Sequence, residues 1–162
     1  MANAKATSKT SRTKPQPSDA IAVLTADHKE VKQLFKEYDK LVEAESDDGQ
    51  NEMLAQQICT MLTAHATAEE EIFYPAARTV LEQEDLIDEA AVEHASAKDL
   101  IAQIQQSSPE DALYDAKVKV LGEYIDHHVN EEEGEMFPKL KKTKLDLDAL
   151  GEQISARKEA LL

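Results

Sequence analysis

The 162-residue chain is poor in residues that turn, kink or cross-link a fold: four glycines, five prolines, one cysteine and no tryptophan. So few turn formers leave little room for the repeated tight turns of a sheet, whereas the abundant Ala, Leu, Glu, Lys and Gln favour helix. The single Cys59 excludes an internal disulfide. It falls at an interior-looking position and reads as a buried thiol; with no export signal in view, the expected compartment is a reducing cytoplasm. Long apolar runs are missing as well. No stretch approaches the roughly 18 apolar residues of a membrane span, so no membrane partner is expected. A hydrophobic content of 41% still suffices for one domain around one core.

Basic charge is also short. Eighteen basic residues face 33 acidic ones, a net charge of −15. The balance is uneven: residues 1–17 hold Lys5, Lys9, Arg12 and Lys14 and no acid, leaving 14 basic and all 33 acidic residues to the rest of the chain. A body that acidic repels nucleic acid and anionic membrane. Segment 1–17, made largely of Ala, Ser, Thr and Lys, reads as a disordered basic tail, the one part of the chain suited to nucleic acid or an acidic partner.

Beyond the tail, helical periodicity organises the chain. A first helix starts at Pro17-Ser18-Asp19, with Ser18 as N-cap, and carries Ile21, Leu24, His28, Val31, Phe35, Tyr38 and Val42 at steps of three and four. Asp47-Asp48-Gly49 interrupts the pattern. A second helix from about Asn51 lines up Leu54, Ile58, Met61, His65, Glu69 and Ile72, and Pro75 ends or kinks it, with a short continuation to about Glu82. The third begins near Asp85 and aligns Ile87, Ala90, His94, Ala97, Ile101 and Ile104. Ser108 caps the fourth, with Pro109 at its first position; Tyr114, Val118, Leu121, Ile125, His128, Glu132 and Met136 align, and the helix ends near Pro138. Asp146 leads into a last amphipathic helix through Leu150, Ile154 and Leu161. The expected fold is all-α: an antiparallel up-down four-helix bundle over residues 18–140, with an additional short C-terminal helix in 141–162 across one end or side.

Within this pattern the chain repeats itself. His65 is followed by Glu69 after four residues and by Pro75 after ten; His128 is followed by Glu132 and Pro138 at the same spacings. An acid-histidine pair precedes each, Asp27-His28 by 37 residues and Glu93-His94 by 34. Residues four apart on a helix lie on one face, so each His-x-x-x-Glu pair aims an imidazole and a carboxylate at the bundle axis. All six residues, His28, His65, Glu69, His94, His128 and Glu132, occupy the apolar stripes. Burying six unpartnered groups would cost about 1–3 kcal/mol for each imidazole and several for each carboxylate. That rivals the ~5–15 kcal/mol that keeps a domain folded. A metal is the partner they could share.

Four nitrogens and two carboxylates are too many donors for one tetrahedral zinc. Imidazole with carboxylate and open positions suits iron, with manganese or zinc less suited, and the near-twofold repeat suits two metals bridged by Glu69 and Glu132. His127 competes with His128, since Val120, Tyr124, His127 and Glu131 also form a stripe; the matching distance to proline favours His128. Glu71, Glu131 and Glu133 read as solvated, and Glu70 as a candidate to support a ligand. Asp27 and Glu93 could each hold an imidazole, but adjacent helix positions point about 100° apart, so both are expected at the surface. Tyr38, Tyr74, Tyr114 and Tyr124 read as core or interface, and which of them stands near a metal stays open.

On these residues the chain resembles the hemerythrin-like, HHE cation-binding domains over roughly residues 19–140. The resemblance implies a four-helix bundle with a non-haem di-iron centre. Its first-helix ligand falls on His28, the second-helix pair on His65 and Glu69, the third-helix histidine on His94, and the fourth-helix pair on His128 and Glu132. Oxygen-carrying hemerythrins have a second histidine one turn on in the third helix, where this chain has Lys98. They also place the last carboxylate five residues after its histidine, which here is Glu133. The set in this chain is closer to bacterial di-iron proteins of nitric-oxide stress and iron-centre repair. The resemblance thus implies two irons per chain meeting O2, NO or peroxide, in sensing or stress response. Enzymatic turnover of peroxide or NO, or donation of iron for repair, is the alternative. No reductase-like module accompanies the site, so an electron donor would be a separate partner. Ferritin-like proteins need Glu-x-x-His on two helices, and no histidine here has a glutamate three residues before it.

Overall fold

The computed structural model describes residues 19–162; the basic tail and the expected Ser18 cap lie outside them. Among the described residues the regular structure is entirely helical. In chain order the elements are α1 (Ala20–Glu43), α2 (Asp48–Ala68), α3 (Tyr74–Arg78), α4 (Asp85–Gln105), α5 (Tyr114–Glu131), α6 (Phe137–Lys141) and α7 (Leu147–Leu161). Between α2 and α3, and again between α5 and α6, the helix runs on without a break through one wider turn, Glu69–Phe73 and Glu132–Met136.

Asp19 caps α1, its carboxylate accepting from the Ala22 N–H at 2.7 Å. The acidic stretch before Asn51 opens a helix instead of separating two. Asp47 accepts from the Gln50 N–H at 3.0 Å, and α2 begins at Asp48. The start of α5 departs further from expectation. The Asp111 carboxylate accepts from the Ser108 N–H at 2.9 Å, and the Asp111 N–H returns to the Ser108 carbonyl at 2.8 Å. These bonds close a turn, so Pro109 opens no helix and α5 waits until Tyr114. The continuation past Pro75 ends at Arg78, short of Glu82.

The two wide turns have one cause. A proline lacks the N–H that a regular turn would use, and Pro75 and Pro138 sit at corresponding places. The backbone widens ahead of them, so the Tyr74 N–H bonds the Glu69 carbonyl and the Phe137 N–H bonds the Glu132 carbonyl, each five residues back. The extra residue shifts the phase of the buried face. Beyond Glu69 the fully buried positions are Phe73, Tyr74 and Ala77, while Ile72, the expected continuation, is half-buried.

Four long helices pack in a ring, α1 against α2 and α5, and α4 against α2 and α5. α7 lies on α1 and α2, burying Leu150 and Ile154. The core comes in two apolar parts. One gathers Leu24, Phe73, Phe137, Leu140 and Ile154; the other gathers Val31, Tyr38, Ile58, Ile101 and Leu121. Along each long helix the candidate ligands fall between the two parts, as a polar layer in an otherwise apolar interior. Cys59 is buried in the second part, and burial pushes its thiol up to about 11.

Candidate metal centre

All six residues singled out by the repeat meet in this layer. They form two groups, His28, His65, Glu69 and Glu132, and Glu69, His94, His128 and Glu132, with one donor atom from each member within 4.8 Å of the others. Both glutamates belong to both groups. His65 Nε2 lies 3.1 Å from Glu69 Oε1 and His94 Nε2 lies 3.1 Å from Glu69 Oε2, so one carboxylate faces both groups. Glu132 Oε1 stands beside His128 Nε2 and 4.0 Å from His28 Nε2. Glu69 and Glu132 are essentially without solvent exposure.

Each imidazole is held from behind by a carboxylate on a facing segment. His28 donates its Nδ1–H to Glu133 (3.0 Å), His65 to Asp27 (2.8 Å), His94 to Glu70 (3.0 Å) and His128 to Glu93 (2.5 Å). Fixing Nδ1–H in this way leaves every Nε2 turned inward, the arrangement that orients metal-binding histidines. The four supports obey the repeat. Asp27 and Glu93 immediately precede His28 and His94; Glu70 and Glu133 immediately follow Glu69 and Glu132. Asp27 is buried and Glu93 half-buried, which corrects their expected place at the surface; Glu133 is exposed as expected and in addition holds His28. Each does point about 100° from its neighbouring ligand, but another helix lies in that direction and supplies the imidazole. Two of the supports are backed by lysines: Lys158 of α7 on Asp27, and Lys98 on Glu70 at 2.5 Å.

Charge explains why the cluster calls for cations. Burial works against a charged His65, yet the Glu69 carboxylate and the hydrogen bond to Asp27 push it up to about 10. Burial also opposes charge on His128, and the adjacent Glu132 carboxylate with the bond to Glu93 raises it to about 11. Burial and the facing Glu69 raise Glu132 to about 7, and burial with the nearby His65 lowers His28 to about 4. Burial would raise Glu69, but His65 and His94 hold it well below the usual range. Protons on two imidazoles thus stand in for positive charge. They do so incompletely, since His28 Nε2, His65 Nε2, Glu69 Oε1 and both oxygens of Glu132 are buried without a hydrogen-bond partner. Buried donor atoms aimed at common points and left without hydrogen bonds fit metal ions.

Tyr74 is the tyrosine at the site. Its hydroxyl lies 3.2 Å from Glu69 Oε2, 3.2 Å from His94 Nε2 and 3.3 Å from His128 Nε2. Burial, with Glu69 and Glu132, holds the phenol well above its usual value. The corresponding position in the other half is Phe137, whose ring stacks on His28 at 6.0 Å. A cavity of about 30 Å³ reaches the four imidazoles and is otherwise lined by side chains such as Val31, Leu62, Ala97, Ile101 and Val129. His127 points away, 67% exposed.

A profile of the Hemerythrin HHE cation binding domain matches residues 19–140. A DNA nickase of Nostoc sp. (strain PCC 7120) is 33% identical over 115 residues, which cover 71% of this chain and 31% of that protein; the chain spans about a third of its length. Among solved structures, a hemerythrin HHE cation binding domain-containing protein from Mycobacterium kansasii superposes with a TM-score of 0.71 at 24% identity. The match covers 88% of this chain and 86% of that one, and shows a common fold.

Proposed function

This chain belongs to the hemerythrin HHE cation-binding domain family, and we propose that it holds two irons in a four-helix antiparallel bundle and meets a small ligand such as O2, NO or peroxide there, in sensing or stress response in the cytoplasm. His28 and His65 would hold one ion and His94 and His128 the other, with Glu69 and Glu132 serving both. The observation that carries this reading is the pair of overlapping donor groups sharing both carboxylates. Imidazole with carboxylate suits iron. Two irons, when bound, supply open positions and electrons for a small ligand.

The chain's own residues set the conditions. The cavity is larger than the roughly 10–15 Å³ that one water needs, and its mostly apolar walls favour a diatomic molecule over a charged one. Phe137 backs the His28 ring with hydrocarbon. Lys98 engages Glu70 and so acts on His94 through that carboxylate. A second reading, turnover of peroxide or NO, is favoured by Tyr74, whose hydroxyl is placed to give a hydrogen bond or a proton to a ligand beside His94 and His128. DNA nicking is not carried over from the Nostoc protein, because the match covers 31% of that protein.

The test is metal content and visible absorption of the protein from its native host, followed by cycles of air and vacuum on the reduced form. About two irons per chain are expected from the two donor groups, with a reduced spectrum that is not regained under vacuum. Full recovery on each cycle would make the chain a reversible oxygen carrier and overturn the reading.

A further inference from the structure

A second set of metal-type donors lies outside the inner centre. On the outer face of α4 and α5, Glu93, His127 and Glu131 bring one donor atom each within 4.8 Å of the others. His127 Nε2 lies 3.1 Å from Glu131 Oε1 and 3.6 Å from Glu93 Oε1. Donors bound to one tetrahedral ion at about 2.0–2.1 Å stand about 3.4 Å apart, and these two spacings bracket that value. His127 and Glu131 repeat the four-residue spacing of the inner pairs, one residue out of phase, and therefore present it to solvent.

Two further observations separate this cluster from an ordinary acidic surface. Glu93 is anchored, because its Oε2 accepts from His128 Nδ1–H and its Oε1 is left facing His127. Among the described residues no lysine or arginine pairs with Glu93 or Glu131, whose carboxylates both face His127. The place lacks a cation and already has an imidazole.

We propose that Glu93, His127 and Glu131 form a surface site for a divalent transition ion, completed by water, which shares the Glu93 carboxylate with the inner centre. An ion on Oε1 draws charge from Glu93, loosens its bond with His128 Nδ1–H and makes His128 Nε2 a weaker donor inside. This coupling rests on the inner centre being a metal site; the surface site does not.

The experiment adds Zn(II), buffered by a chromophoric chelator, to the full iron-loaded chain, counts zinc and iron after free metal is removed, and records the visible spectrum throughout. Wild type is expected to gain one zinc per chain with iron unchanged and a shifted spectrum. His127→Ala and Glu131→Gln are each expected to bind that zinc at least tenfold more weakly, without the shift. Equal zinc affinity in wild type and His127→Ala would overturn the site, and so would zinc gained one for one against iron lost. Zinc that depends on His127 but leaves the spectrum unmoved would overturn the coupling. A wild-type protein isolated without inner metal would count against the inner centre, and the His127-dependent zinc count would then still decide the surface site.

Discussion

An imidazole offers two nitrogens, and in this molecule the choice between them is made by carboxylates that never face the centre. Asp27, Glu70, Glu93 and Glu133 each take one Nδ1–H, so losing a support should act like a partial loss of its ligand. Asp27→Asn and Glu133→Gln are expected to lower metal affinity about 10–100-fold, measured by chelator competition, with the helical spectrum intact. His65→Ala and His128→Ala should lose most bound metal, whereas His127→Ala should keep the inner iron; retention by the His128 variant with loss by the His127 variant would reverse the assignment. The protons themselves give another test. With His65 raised to about 10 and His128 to about 11, both are charged in the metal-free chain at pH 7 and must be neutral to bind metal. Adding Fe(II) anaerobically to metal-free protein at pH 7 in weak buffer should release about two to three protons per chain, two from the imidazoles and a fraction from Glu132, read with a pH indicator. A pH that stays constant would mean the imidazoles were already neutral.

At the level of helices, sequence periodicity places most of the buried residues, and its failures have local causes. His28, His65, His94 and His128 were legible because each falls on an apolar stripe where a lone polar group has no place. Glu133 was not, since it stands off that stripe and its value depends on which helix lies opposite. The phase shift after Glu69 was hidden as well. Pro75 announced a break, but a widened turn that keeps the helix going looks the same in sequence as a kink. The start of α5 was misplaced because Ser108-Pro109 is a good opening, and only the Asp111 bonds convert it to a turn. α7 adds what the bundle motif omits, Ile154 in the core and Lys158 on Asp27. Ile154→Ala should cost about 2–5 kcal/mol, seen as a lower denaturant midpoint. Lys158→Met should cost little stability and tighten metal binding, because Asp27 freed of the ammonium accepts more strongly from His65 and makes its Nε2 a better donor. Unchanged affinity in Lys158→Met would show that the ammonium leaves His65 unaffected.

The whole molecule feels the centre through its stability. In the metal-free chain His65 and His128 are raised above 6.5. Their contribution is complete below pH 6.5 and is lost as pH rises towards 10 and 11. Glu132, raised from 4.5 to about 7, acts in the same sense between those values. Folded metal-free protein thus binds more protons than unfolded protein above neutrality, and its stability falls with pH there. Bound metal stabilises by mass action and removes the need for those protons. The melting temperature of metal-free protein should therefore lie below that of the loaded form, with a gap that widens from about pH 7 to about pH 9. A constant gap would mean that His65 and His128 do not keep their protons in the metal-free fold, and no gap at all would mean that the buried carboxylates are solvated.

The crossed supports make each half of the chain depend on the other. Asp27 serves His65 within the first half and Glu93 serves His128 within the second, yet Glu133 reaches back to His28, and each donor group takes one glutamate from each half. Neither half contains a finished centre. Two identical copies of one half, related by a twofold axis, would contain one, so the single chain has the internal symmetry of a pair of interlocked halves. The covalent link between α3 and α4 would then serve only to hold the halves at high local concentration. Separately expressed pieces, divided between Arg78 and Asp85, should reassemble when mixed with iron, which would act as the glue between them. Halves that fail to associate with or without the metal would show that the connection does more than tether.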